Sequence, residues 1–435
     1  MIYLIHIHRC FIWPVVIHSL VLTVLLIPIS IPSAAQTADN SHIKISKNGR
    51  YFIDEEGKPF FWQGDTEWEL FHLFSVSEAR ALLQERNKQG FNVIQVMATG
   101  VFPEWGQMQG MQPWEGMQAW VNNDPLTPNE DYFARADSIV AVAEELGIEI
   151  VLGVYHARDS DAGRINLQNA KIWSIWLAQR YNKSKNIIWS MYPHADPSSK
   201  PIIDEIVQGI LEGDGGTHLI TMHPDPSPAS SSFMHSESWL SFNTLQTWST
   251  DLRNYDMVRA DYEKIPVKPV VDGEARYEEE DDTQPFETRR AGYWACLAGG
   301  FYSFGHCNNW KSPRTWRDWY NSPGTGQMNI LGNFLRSIEW WKIIPDQSIF
   351  VKQINGNVAA RSQDGDWILA YLTNPDPVTL KLDFITTPET LTGWWVDPLT
   401  GNRMKIGNFT VSKNHDFIPP GDWKDAILLI KKGAE

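Results

Sequence analysis

Short apolar runs alternate with amphipathic stretches from Phe60 to Trp341, and this repetition limits the chain to very few architectures. Runs that read as buried strands lie at Phe60–Gly64, Asn92–Ala98, Glu149–Tyr155, Asn186–Met191, Leu219–Met222, Phe242–Gln246, Val267–Val271 and Gly300–Phe304. Helical periodicity fills most of the gaps, at Ser77–Gln89, Asn129–Leu146, Leu167–Tyr181, Ile202–Leu211, Asn254–Lys264, Pro285–Ala298 and Met328–Trp341. Gly90 and Gly147 stop two of these helices just before the next strand. Strands separated by helices pair in parallel, and eight in succession predict an α/β protein built on a (β/α)8 TIM barrel. The fifth and sixth units are the least regular.

The flanks read differently. From Ile43 to Phe61 the pattern is short β, with Asn48-Gly49 as a hairpin turn. From about Gln347 short alternating runs such as Trp367–Leu372, Thr379–Asp383 and Ala426–Ile430 are separated by Asp-Gly, Asn-Pro-Asp-Pro and Asp-Pro-Leu-Thr-Gly turns. That pattern predicts a small antiparallel β-sandwich. The expected division is therefore a barrel over 42–345 and a β-sandwich over 346–435. Residues 1–35 read as a secretory signal peptide: Arg9, an apolar run from Phe11 to Ile31, and small residues up to a cut after Ala35. The run is also long enough to span a bilayer, so an uncleaved anchor is the competing reading. With cleavage, the mature chain is expected to be exported (periplasmic, cell-surface or secreted), with no stable membrane insertion. Only Cys296 and Cys307 would remain, too few for a disulfide framework in so large a domain, and two buried thiols are expected.

Charge and composition narrow the partners. There are 37 Lys+Arg against 52 Asp+Glu, and no basic run or basic-aromatic stripe, so nucleic acid is not expected as a partner. The 21 Trp residues suit a core, but Trp also stacks on the apolar faces of sugar rings, so Trp at strand ends favours a carbohydrate groove. In a barrel the chemistry sits at the C-terminal ends of the strands. Here those ends carry Asp65 and Trp68, His156, His194 and Asp196, His223, Trp248, then Glu274, Arg276 and Tyr277, and finally His306. Each alone is more often structural, but their concentration at one rim points to a polar, aromatic-lined pocket. Glycosidic bond cleavage needs two carboxylates flanking the sugar, one protonated and one ionised. Glu274 ends the seventh strand and suits attack, and Arg276 beside it would hold it ionised. On the fourth strand His194 and Asp196 compete for the place of the acid. Asp65, Trp68, His156, His194, His223, Trp248, Arg276 and Tyr277 are the expected substrate-binding residues.

Several separate motifs, in order, resemble the apiosidase-like glycoside hydrolases, whose barrel is also described as a DUF4038-type domain. They are Phe61–Trp68 (FWQGDTEW), Gly90–Gln95 (GFNVIQ), Asn186–Trp189 (NIIW), Lys268–Glu278 (KPVVDGEARYE) and Tyr293–Phe301 (YWACLAGGF). The C-terminal module resembles the collagen-binding-type β domain that commonly follows this barrel. The resemblance implies a pectin-degrading hydrolase with a retaining carboxylate pair and Glu274 as nucleophile. It also implies a Gly-Gly-Asp acid shortly after the Ile-Ile-Trp strand. This chain departs there, with Ser190-Met-Tyr-Pro-His-Ala-Asp196. Ungapped counting puts His194 in that slot, and a two-residue insertion brings Asp196 there; Asp196 is the expected acid.

Other chemistries fit less well. A metal hydrolase could draw on His156, His194, His223, His306 and Asp65, but none of these falls in a His-x-His or His-Glu-x-x-His spacing. No Gly-x-Ser-x-Gly elbow marks a serine hydrolase. The acidic run Glu278–Asp282 could hold calcium but reads as a solvated loop. No metal or cofactor is expected. The remaining rival is a barrel that binds carbohydrate without cleaving it.

Overall fold

The computed structural model describes residues 43–101, 113–194, 196–224, 229–248, 254–385, 390–410 and 413–433. Residues 1–35, expected as a leader, and residues 225–228 of the Ser- and Pro-rich loop lie outside these. Seven parallel strands form one curled sheet in the order Ile187–Tyr192, Glu149–His156, Val93–Met97, Gln63–Thr66, Phe301–Phe304, Val270–Glu274, Asn243–Gln246. The two ends of that sheet are joined by residues 219–223. Their backbone takes hydrogen bonds on one side (Trp189 N to Leu219 O, Thr221 N to Trp189 O, His223 N to Met191 O, each 2.8 Å) and on the other (Ser241 N to Ile220 O, 2.8 Å). This segment is the irregular fifth unit. It is too short to propagate a ladder, yet it closes the (β/α)8 barrel.

The alternating helices follow the apolar periodicity. Helix Val76–Lys88 starts at a capping box in which Ser75 and Glu78 satisfy each other's backbone N–H groups, and it buries Ala79, Leu82 and Leu83 against the sheet. Helix Lys200–Asp214 ends at Gly215, whose φ of 71° is the left-handed stop that favours glycine. Among the described residues no helix is long and apolar enough to cross a membrane.

The N-terminal end of the barrel is plugged. Strands Ile43–Ile45, Phe52–Asp54 and Pro59–Phe60 form a small antiparallel sheet. It drives Phe52 between Trp62, Phe242 and Phe301, with ring centroids 5.3, 5.2 and 5.5 Å away. Those three residues sit at the starts of barrel strands, so the opposite, C-terminal rim is the open one.

From Ile343 the chain forms a six-stranded antiparallel sheet in the order Ile343–Pro345, Val358–Ser362, Trp367–Leu372, Ala426–Lys432, Thr390–Val396, Arg403–Thr410, and a two-stranded pair, Val378–Lys381 with Asn414–Phe417. Period-2 alternation serves two cores at once. Ile368, Ala370, Leu428 and Ile430 face the two-stranded pair through Val378, Leu380 and Phe417. Trp367, Leu369, Tyr371, Ile427 and Leu429 face the barrel through Tyr293, Met328 and Leu331. The second layer of the expected sandwich is thus only two strands, because the barrel covers the other face of the sheet. Arg289 and Asp425 cross this junction in a buried bidentate ion pair, at 2.8 and 2.6 Å. Cys296 and Cys307 are free and buried.

Candidate active site

A pocket of about 470 Å³ opens at the C-terminal rim, lined among others by Trp68, His156, His194, His223, Trp248, Glu274 and Tyr277. Its volume suits a small ligand of one or two rings. Trp68, Met97 and Tyr192, with Val101 and Trp310, make its apolar wall.

Glu274 is aimed by an irregularity in the seventh strand. Leu245 pairs with Asp272 and Gln246 pairs with Glu274, so Gly273 is skipped in the register. A bulge turns the following side chain off the strict alternation. Asp272 receives a hydrogen bond of 2.9 Å from Asn254 Nδ2, which also bonds Ala291 O, so Asp272 faces the helices. Glu274 instead lines the pocket. Only glycine fits at the bulge: a Cβ on Gly273 would lie 2.6 Å from Thr244 Cγ2 and 3.1 Å from the His223 ring.

Among the described residues, His223 and Tyr277 approach Glu274. His223 Nε2 lies 3.5 Å from its Oε2, and burial lowers the His223 pKa to about 4, so a neutral imidazole faces the carboxylate. Tyr277 hydrogen-bonds it as well. Trp68 Nε1 donates to Tyr277 Oη at 2.7 Å, and Trp has only a donor, so the tyrosine proton is directed onto Glu274. Burial, and then the Glu274 charge, push the Tyr277 hydroxyl well above its ordinary range, so it remains a donor. Gly305 permits this, since a Cβ there would run into the Tyr277 ring.

His156 is likewise neutral. Burial lowers His156 to about 3, with Arg158 adding to the effect. Its Nδ1 accepts from Arg158 N at 3.1 Å, leaving Nε2–H as the donor, and its ring stacks parallel to Tyr192 at 6.2 Å. His194 Nε2 stands 3.2 Å from both carboxylate oxygens of Asp161, and both residues line the pocket.

Three of the expected site residues fall elsewhere. Asp65 is not on the pocket wall. Gln63, Asp65 and Glu67 share one face of the first strand, and that face points at the helices. Asp65 Oδ2 meets Arg86 Nε at 2.5 Å and Glu67 Oε1 meets Arg86 Nη2 at 3.1 Å, all fully buried. Burial raises both carboxyls, Arg86 opposes this, and Asp65 drives Glu67 higher still. Trp68, on the other face, reaches the pocket. Arg276 is exposed and outside the pocket wall; its Nε donates to Trp248 O at 3.1 Å, so it braces the strand-six loop. Asp196 is exposed and likewise off the wall. Its Oδ1 accepts from Ser198 N at 2.7 Å as the cap of the turn Pro197–Ser199. Hydrogen bonds from the Ser198 hydroxyl and N–H hold its carboxyl below the ordinary range, so it is a poor reservoir for a proton.

The pocket also holds residues that the strand-end reading passed over. Arg158 and Asp161 come from the short helix Ala157–Asp161, and Trp310 from Asn308–Lys311. Single-turn helices carry no periodic signal. Glu280 lies in the acidic loop read as solvated, yet burial raises its pKa against Lys311, whose Nζ is 3.6 Å away.

Asp272 gives this site a pH signature. Burial raises it to about 7, only partly offset by Asn254 and Thr247. An unfolded Asp loses its proton near 3.9, so between about pH 4 and 7 the folded state binds more protons. Stability must fall as pH rises through that window, by on the order of 4 kcal/mol at most. Asp272→Asn mimics the protonated group. Urea midpoints at pH 5 and pH 8 should differ clearly less in this variant than in the parent chain.

The comparisons with known proteins agree with this fold. A family model described as "Apiosidase-like, catalytic domain" matches residues 46–342, and one described as "Putative collagen-binding domain of a collagenase" matches residues 344–431. A solved glycoside hydrolase family 5 protein from Bacteroides vulgatus ATCC 8482 is 25% identical, with a TM-score of 0.81 over 91% of this chain and 95% of its own. A second structure, titled only as a glycoside hydrolase, is 24% identical, with a TM-score of 0.78 over 91% and 98% of the two chains. A GH27 β-L-arabinopyranosidase from Geobacillus stearothermophilus shares the fold at 11% identity, with a TM-score of 0.55 over 86% and 97%. None of the curated proteins matches. Fold and rim pocket together are those of a glycoside hydrolase. The chain belongs to the apiosidase-like catalytic-domain family, whose model covers more than half of it.

Proposed function

We propose that this enzyme cleaves a glycosidic bond in pectic material with retention of configuration, and that Glu274 is its nucleophile. The observation that supports this most is the setting of Glu274: re-aimed by the Gly273 bulge, held by Tyr277 and His223, and open to a sugar-sized pocket. A carboxylate fixed by hydrogen bonds to its charged form is prepared for attack at an anomeric carbon. Trp68, Trp248 and Tyr192 supply flat apolar surface for a sugar ring, and His156 supplies a donor for its hydroxyls. The pectic substrate rests on the family. The leader sequence supports export, where such substrates occur.

Proton NMR of the first-formed product from apiose-containing pectic oligosaccharides tests the mechanism. Retention is expected. An inverted product would mean that a water attacks directly and that Glu274 acts as a base. The outward carboxylate of Asp196 favours one other reading, a barrel that binds these sugars without cleaving them. Binding without turnover of any pectic fraction would establish that reading instead.

A further inference from the structure

A second cleft, of about 330 Å³, lies where the barrel meets the C-terminal sheet and shares no wall residue with the rim pocket. Helix Pro285–Leu297 gives it Phe286, Arg290 and Trp294, one turn apart along a single face, and three turns of the sheet domain give it Asn355, Asn374 and Lys424. The chain as a whole is acidic, with 37 Lys+Arg against 52 Asp+Glu. This wall reverses the sign: it carries two cations and, among the described residues, no carboxylate. Asp425, next to Lys424 in the chain, is engaged by Arg289. Aromatic rings hold the two cations in place. The Arg290 guanidinium carbon lies 4.8 Å from the Trp294 ring centre and 5.3 Å from that of Phe286, and Lys424 Nζ lies 4.1 Å from the Phe286 centre. A ring positions a cation without neutralising it. Arg290 Nε is buried with no hydrogen-bond acceptor among the described residues. Two like charges gathered at one ring repel each other, and an anion between them would relieve that repulsion.

The cleft is already shaped. Trp294 Nε1 donates to Gly356 O at 2.8 Å, which ties the helix to the turn before strand Val358–Ser362. Gly356 has a φ of 89°, and a Cβ there would run into Thr373 Oγ1, so this turn packs directly on the next. Thr373 N in turn donates to Asn357 Oδ1 at 3.0 Å. We propose that this cleft binds a uronic acid residue of a pectic chain, with the carboxylate between Arg290 and Lys424 and the hydroxyls against the Asn355 and Asn374 amides. Arg matches the two oxygens of a carboxylate with paired N–H donors, and Lys adds a point charge. The volume is near the lower end for ligand pockets, about 300–1,000 Å³, and suits one sugar ring with its substituents. Pectic chains are rich in uronates, so the choice of anion rests on the proposed function, whereas the cationic cleft does not. The helix starts on the side of the barrel where strand Val270–Glu274 ends, which is the side of the rim pocket. An acidic backbone held in the cleft would therefore keep its branches near that pocket.

Isothermal calorimetry of the full chain with trigalacturonate, its fully methyl-esterified form and inorganic phosphate tests the proposal. Trigalacturonate should bind, and the uncharged ester should bind about tenfold more weakly or worse. Raising NaCl from about 20 to about 300 mM should weaken trigalacturonate binding severalfold, because the contact is between charges open to solvent. Lys424→Glu, at an exposed position, should lower the affinity by about tenfold or more, and so should Arg290→Gln. Unchanged affinity in either variant overturns the proposal, as does an equal response to inorganic phosphate at the same concentration. Loss of binding in Trp248→Ala with none in Lys424→Glu would place the uronate in the rim pocket instead. Turnover of 4-nitrophenyl apioside, which has no carboxylate, is read on the same chain and tests the hydrolase reading by itself. Turnover without trigalacturonate binding removes the uronate cleft and leaves the hydrolase, and binding without turnover does the reverse.

Discussion

Glu274→Ala is expected to abolish turnover of every substrate, by on the order of 10⁴-fold or more, because single losses from a concerted nucleophilic site have effects of that size. The loss should be seen equally with good and poor leaving groups, since both need the nucleophile. Azide added to this variant should then restore release of 4-nitrophenol, entering the space left by the carboxylate and giving a glycosyl azide of inverted configuration. Binding should survive, because Trp68, Trp248 and His156 are untouched. Near-normal turnover by Glu274→Ala would remove the nucleophile assignment. Loss of turnover together with an unfolded circular dichroism spectrum would call for Glu274→Gln, which preserves the volume and the contact to Tyr277.

The largest effect on stability is expected at the junction with the C-terminal sheet. Asp425→Ala would leave the Arg289 guanidinium buried with Gln327 Oε1 as its remaining side-chain hydrogen-bond acceptor, at 2.7 Å, and would strip Tyr371 of the acceptor 2.7 Å from its hydroxyl. Breaking one partner of a buried pair costs about 3–5 kcal/mol. The Arg289→Met/Asp425→Leu double variant removes both charges and should recover much of that loss, because the desolvation cost goes with them. Urea denaturation followed by Trp fluorescence measures both. A midpoint unchanged in Asp425→Ala would show that water reaches the pair.

Much of the architecture was legible because barrel strands buried on both faces are near-continuous apolar runs, and seven of the eight read as strands are strands in the sheet. The eighth, around Ile220, has the right composition but only one residue-long bridge to Trp189, since its backbone pairs for too few residues to make a ladder. The site was legible where chemistry-bearing residues stand at strand ends and point inward. Asp65 misled because its position in sequence is right and its parity is wrong: Trp68 on the opposite face was the clue. Asp196 misled because Asx capping of the next turn is a local alternative that a bare Asp does not announce. The bulge at Gly273 inverts the parity argument for Glu274, and nothing in Asp-Gly-Glu distinguishes a bulge from regular alternation. Asp161 and Trp310 ride on single-turn helices whose sequence has no pattern to read.

The plug formed by Phe52 bears on the order in which this chain can reach its final state. Its ring partners Phe242 and Phe301 lie far downstream, so this hairpin is synthesised well before the strands that cover it. Contacts of such long sequence separation slow folding and prolong the exposure of apolar surface. The Phe52 ring therefore stays uncovered until strands almost two hundred residues or more further along the chain are in place.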